Sequence, residues 1–148
     1  MWVIIIVIIP FLTGCSTTNG IVEPTTTTNA SIQPNSANDL KTFLAGNTLV
    51  LKGRYRRNNA PWVAKLHLGR DGSISAQSNL GSRIVTDTGR WWIDQNGLFC
   101  RKFKKWVRGQ SGCYRITRNG ASLKLQLVSG YGSQKSTGYL IRGYALVQ

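Results

Sequence analysis

From Gly46 onward the chain repeats one pattern, a short run of alternating apolar and polar side chains followed by a cluster of turn residues. Leu49, Leu51 and Tyr55 alternate with Val50, Lys52 and Arg54, and Asn58-Asn59-Ala60-Pro61 then turns the chain. Trp62, Ala64, Leu66 and Leu68 alternate with Val63, Lys65 and His67 before the turn Gly69-Arg70-Asp71-Gly72. A period of two places alternate residues on opposite faces of a strand, so each run predicts a half-buried β-strand. Further strands are predicted at Ser73–Gln77, Arg83–Thr86, Arg90–Ile93, Leu98–Phe103, Cys113–Thr117, Ser122–Leu127 and Tyr139–Val147, the last after a Gly/Ser-rich loop, Ser129–Gly138. Gly81, Gly89 and Gly97 are assigned to turns, and Asp94-Gln95-Asn96-Gly97 carries the Asn-Gly hairpin signal. There is no βαβ alternation and no repeat. The chain is expected to be all-β, an antiparallel meander of about eight strands, closed as a small barrel or folded as a sandwich.

The domain organisation follows from what precedes the strands. Residues 1–14 are apolar and read as a signal segment, too short to span a bilayer as a helix. Residues 15–38 are rich in Thr, Ser, Asn and Pro with one charge, Glu23, and predict a flexible tether. Residues 39–148 are left for the β domain, about 110 residues, enough for one core. Asp39–Ala45 predicts a short helix ahead of the first strand.

Charge gathers in the middle of that domain. Asp87–Arg118 holds eight of the nineteen basic residues, three of the five Trp and two of the three Cys, against the acids Asp87 and Asp94. Cys100 and Cys113 form an even pair and predict a disulfide at the base of a cationic loop, Lys104–Gly112. A register placing Cys100 opposite Cys113 places Phe99 opposite Tyr114 on the other face. The disulfide then falls on the polar side and the aromatic pair on the core side. Trp91 and Trp92 point to opposite faces. Arg101, Lys102, Lys104, Lys105 and Arg108, with Trp106 among them, form the predicted surface for an anionic ligand or partner. Arg54, Arg56 and Arg57 form a second basic group.

The catalytic repertoire is thin. The single His, His67, sits between Leu66 and Leu68 on the predicted outer face of a strand. Asp71 and Asp94 lie in turns, where short carboxylates satisfy local backbone N–H groups. No pair of acids or nucleophile–base set has a spacing that suggests chemistry, and metal binding would need more ligands than one distant His offers. No enzyme activity, cofactor or metal is expected.

Two resemblances add to this. Leu12-Thr13-Gly14-Cys15 matches the bacterial lipobox residue by residue, although no Lys or Arg precedes the apolar run. The resemblance implies that Cys15 is lipidated, becomes the first residue after cleavage and anchors the protein to a membrane. Ser16 at the following position implies, by similarity to enterobacterial sorting, the outer membrane facing the periplasm. The stretch Gly89-Arg90-Trp91 … Cys100 … Trp106 … Cys113-Tyr114 resembles a Gly-x-Trp … Cys … Trp … Cys-Tyr pattern in small exported proteobacterial domains of unknown function. That similarity covers about 30 residues and implies export and a β-rich fold, and the barrel shape in view is a lipocalin-like one.

The whole chain carries a formal charge of +14, and the domain is expected to act by binding. For an exported lipoprotein the anions at hand are lipid headgroups, lipopolysaccharide phosphates and acidic glycans, and nucleic acid is the less apt partner. An accessory lipoprotein of a secretion or conjugation system, binding envelope proteins, is the runner-up. A lysozyme-inhibitor-like lipoprotein is the third, although a basic lysozyme would be repelled by this charge. The sequence leaves the oligomeric state open. Fatty-acid probe labelling of the membrane fraction is expected to occur and to disappear in Cys15→Ser; labelling that persists in the variant refutes lipidation at that residue.

Overall fold

A computed structural model describes residues 36–146, apart from 56, 57 and 81. The signal segment, Cys15, the tether up to residue 35, Arg56 and Arg57 lie outside the described residues. A helix, α1 (Ala37–Leu44), is followed by eight strands: β1 (Asn47–Arg54), β2 (Pro61–Leu68), β3 (Ser73–Leu80), β4 (Arg83–Ile93), β5 (Phe99–Phe103), β6 (Ser111–Asn119), β7 (Ser122–Gly130) and β8 (Lys135–Ile141). Each strand pairs with the next in antiparallel register, and β1 pairs with β8 from Thr48↔Ile141 to Lys52↔Thr137. The sheet is therefore a closed barrel, and the sandwich alternative is excluded. Closure leaves no strand edge exposed to another chain.

Alternation decides what fills the barrel. Leu49 and Leu51 of β1, Leu66 and Leu68 of β2, Trp91 of β4, Phe99 and Phe103 of β5, Tyr114 and Ile116 of β6, and Leu123 and Leu125 of β7 form one buried cluster. Burying each such side chain contributes roughly 1.5–3 kcal/mol of transfer free energy. α1 closes one end. Its N-cap is Ser36, whose Oγ accepts a hydrogen bond from Asp39 N at 3.1 Å, and it sinks Leu40 and Leu44 into the core. The helix thus starts two residues before Asp39, inside the predicted tether.

Several strand boundaries differ from the sequence reading, most of all in β4 and β8. Arg83–Ile93 is one strand because Gly89 lies within β4, opposite Phe103, and not in a turn. A Cβ at Gly89 would meet the backbone of Lys102 and Phe103, so glycine is what allows β4 and β5 to approach there. The last strand starts at Lys135 and ends at Ile141, because the polar segment around Ser136 has to pair with β7 and β1 to close the sheet. Beyond it the chain straps across the outside of β1: Thr48 Oγ1 donates to Gly143 O at 2.7 Å and accepts from Ala145 N at 3.0 Å. Tyr144 packs edge-on against His67 with centroids 4.7 Å apart, so His67, on the outer face as expected, is partly covered.

Cys100 and Cys113 are opposed in register and joined as a disulfide, with Phe99 opposite Tyr114 inside the barrel. The bridge is on the outer side of the sheet, but Cys100 is fully buried there. The helix, the closed sheet and the core all lie within the described residues, so residues 36–148 contain a self-sufficient folding unit. Mass spectrometry without reductant should find no free thiol in that segment. With a sequence separation of 13, reduction should lower its unfolding free energy by about 3 kcal/mol in urea denaturation; an unchanged urea midpoint would show that the bridge does not restrict the unfolded chain.

Candidate functional site

The predicted basic residues follow strand parity, and parity divides them. On β5, Phe99, Arg101 and Phe103 share the inner face while Cys100 and Lys102 share the outer one. Lys104, Lys105 and Arg108 are exposed on the β5–β6 connection, and Trp106 is partly buried there. Arg101 is therefore not part of the basic surface. It lies inside the barrel at 8 % exposure, its Nη2 donating to Tyr114 Oη at 2.6 Å. Burial pushes the Arg101 guanidinium below its ordinary range and the Tyr114 hydroxyl above its own, each partly offset by the other. Trp106 turns back onto Phe103, with ring centroids 5.2 Å apart, and covers the barrel core.

The connection is held by a residue far away in sequence. Asp87, at 7 % exposure on β4, accepts through Oδ2 from Lys105 N at 2.8 Å and from Trp106 N at 2.6 Å. Its Oδ1 accepts from Thr88 N at 2.8 Å. Burial alone would raise this carboxyl's pKa; the N–H donors of Trp106, Lys105 and Thr88 and the Lys105 charge outweigh it and hold the carboxyl below the usual range. The pin is needed because the turn that follows is strained: Val107 and Arg108 have φ of 56° and 57°. Left-handed backbone at a β-branched residue costs of the order of 1–3 kcal/mol and persists only where its surroundings impose it.

On the outside, Lys102 and Lys104 line an open groove of about 770 Å³ together with Lys41 of α1, Arg70 of the β2–β3 turn and Arg90 of β4. Trp92 forms part of its wall at 39 % exposure. Arg90 stands directly opposite Lys102, and like charges paired across strands are destabilising. The acid in the groove, Asp71, is engaged locally, its Oδ1 accepting from Ser73 N at 2.9 Å and Ser73 Oγ at 2.6 Å. Lys105 and Arg108 stay on the exposed loop and do not line the groove. The sequence reading missed Lys41, Arg70, Arg90 and Trp92. The Trp91/Trp92 alternation and the Arg90 position on the same outer face signalled two of them, whereas Lys41 and Arg70 arrive through tertiary packing. Of the second basic group, Arg54 is exposed and donates through Nη1 to Asn59 O at 2.8 Å.

Asp94, Cys100 and Cys113 bring one oxygen and two sulfurs within 4.8 Å of one another. The sulfurs are bonded to each other, and Asp94 Oδ1 accepts from Asn96 N and Leu98 N, so the group is a disulfide beside a turn. Comparison with protein-family models, curated proteins and solved structures finds no match to this chain.

The Asp87 contacts set a pH dependence. The depressed folded-state pKa means that the unfolded chain binds the proton first as pH falls. The stabilisation is complete above the unfolded value near pH 4 and is lost as pH drops through the lower folded value. Asp87→Asn in residues 36–148 is expected to cost about 1.5–3 kcal/mol at pH 7. The gap from the parent should close toward pH 2, as followed by denaturant unfolding across pH. A gap that stays constant down to pH 2 would show that the carboxylate charge is not what holds the turn.

Proposed function

We propose that this chain is a lipoprotein of the bacterial cell envelope, anchored through a lipidated Cys15 in the outer membrane and facing the periplasm. Its basic, non-catalytic β domain binds an anionic envelope partner: a lipid headgroup, a lipopolysaccharide phosphate or an acidic glycan. The observation that carries the reading is the outer groove, where five cations from α1, the β2–β3 turn, β4, β5 and the following loop converge around an exposed Trp92. Bringing like charges together costs folding energy, and an anionic surface reverses that sign. Trp92 adds an amphipathic ring of the kind that sits at the boundary of polar headgroups and apolar chains.

Each basic side chain near an anionic lipid surface contributes about 1 kcal/mol. Reversing Lys102 and Lys104 to Glu in residues 36–148 should weaken binding to phosphatidylglycerol vesicles by at least about tenfold at low salt. The loss should shrink as salt is raised, because the contacts are exposed and screened. Stability should shift by no more than about 0.5 kcal/mol. Equal binding of parent and double variant at low salt, with both folded, removes the groove as the contact site.

A further inference from the structure

The barrel interior holds a second feature that the outer groove does not use. The mouth opposite α1 opens into a cavity of about 340 Å³ walled by Leu51, Trp62, Leu66, Phe103 and Trp106, with Arg101 in its lining. The guanidinium carbon lies 5.0 Å from the centre of the Phe103 ring and 5.2 Å from that of Tyr114. Nη2 is satisfied by Tyr114, but Nη1 is buried with no hydrogen-bond partner, and no carboxylate among the described residues pairs with the guanidinium. Gly132 of the β7–β8 connection packs so closely on the pair that a Cβ there would strike Tyr114 Oη and come within 2.7 Å of Arg101 Nη2. The side chain is therefore held in place by its surroundings, cation inward, between two inward phenylalanines.

A buried cation without a counter-ion is costly, and an apolar residue of similar volume in its place is often neutral or stabilising. Met at this position would satisfy the alternation of β5 without that cost. A ligand that brings both a single negative charge and an apolar body reverses the balance, because a carboxylate accepts from the free N–H of a guanidinium while the body fills the aromatic walls. The cavity is at the small end of the roughly 300–1,000 Å³ range of ligand pockets, so a multi-chain lipid does not fit.

We infer that the barrel is a binding site for a small amphipathic organic monoanion, a carboxylate on one short aliphatic or aromatic body, held by Arg101 inside the cavity lined by Trp62, Phe103 and Trp106. The site is independent of the outer groove and of its membrane reading. The competing account is that a water in the 30 Å³ recess beside Arg101, Tyr114, Ser133 and Ser136 completes the guanidinium shell and nothing else binds.

Calorimetric titration of residues 36–148 with octanoate and with octanol separates the two. Octanoate should bind about 10- to 100-fold more tightly than octanol, the range that a hydrogen bond to a charged group supplies. Arg101→Met should erase that preference while keeping octanol binding, and should leave phosphatidylglycerol vesicle binding unchanged. Lys102→Glu with Lys104→Glu should leave octanoate binding unchanged. Absence of octanoate binding, equal binding of octanol, or unaltered octanoate preference in Arg101→Met overturns the inference. Should Arg101→Met fail to fold, carbon-13 NMR of carboxyl-labelled octanoate on the unsubstituted protein decides. A bound carboxylate that stays ionised at a pH where the free acid is protonated supports the site, and one that titrates like the free acid refutes it.

Discussion

The hydrogen bonding of β8 back onto β1 is the constraint on which everything else rests. A sheet that closes on itself has an inside and an outside, and every strand residue is assigned to one of them by its parity. The assignment is collective: Leu49 and Leu51 point inward only because Gly138 and Leu140 sit opposite them in register and the ring is complete. Gly138 shows how tight the closure is, since a Cβ on it would meet the backbone oxygen of Val50. With one end filled by α1, the barrel opens, among the described residues, in a mouth at the other. The β5–β6 turn carrying Trp106 and Val107 and the β7–β8 turn carrying Gly132 and Ser133 border it.

Electrostatics then act on this shell in two ways. Outside, cations accumulate with few acids to balance them, at the expense of self-repulsion. Inside, Arg101 pairs with no carboxylate among the described residues and rests on aromatic faces. Asp87 of β4 neutralises neither set of charges. Its oxygens are committed to three backbone N–H groups, so its charge fixes the shape of the mouth instead of cancelling a neighbour.

Much of this was legible in the sequence. The leucine alternations marked β1, β2 and β7, the opposed cysteines gave the β5–β6 register, and Trp91 and Trp92 divided as their adjacency requires. The same parity that placed Phe99 inside should have placed Arg101 inside, two residues on; its charge argued for the surface, and strand geometry won. Lys135–Gly138 read as a loop because it continues a Gly/Ser-rich stretch and Gly and Lys are poor strand formers, yet the need to close the ring outweighs propensity at that place. Asp87 gave no local sign of its role, because two of the three N–H groups it serves are 18 and 19 residues away. The groove was read only through Lys102 and Lys104; Arg90 and Trp92 were overlooked on β4, and the rest is the product of packing that brings α1 and the β2–β3 turn beside β5.

One irregularity in the ladder bears on how such a protein can change over generations. Cys113 faces Ser129 while Tyr114 faces Leu127, so Val128 is an extra residue that β7 absorbs as a bulge. Elsewhere in the strands, inserting or deleting a single residue would exchange the two faces beyond that point, turning Arg101 and the phenylalanines outward and Lys102 inward. Length variation among descendants of this chain is thereby confined to the turns and to the neighbourhood of Val128. Substitutions leave the spacing between the inward residues untouched, whereas an insertion or deletion within a strand breaks it and the barrel with it.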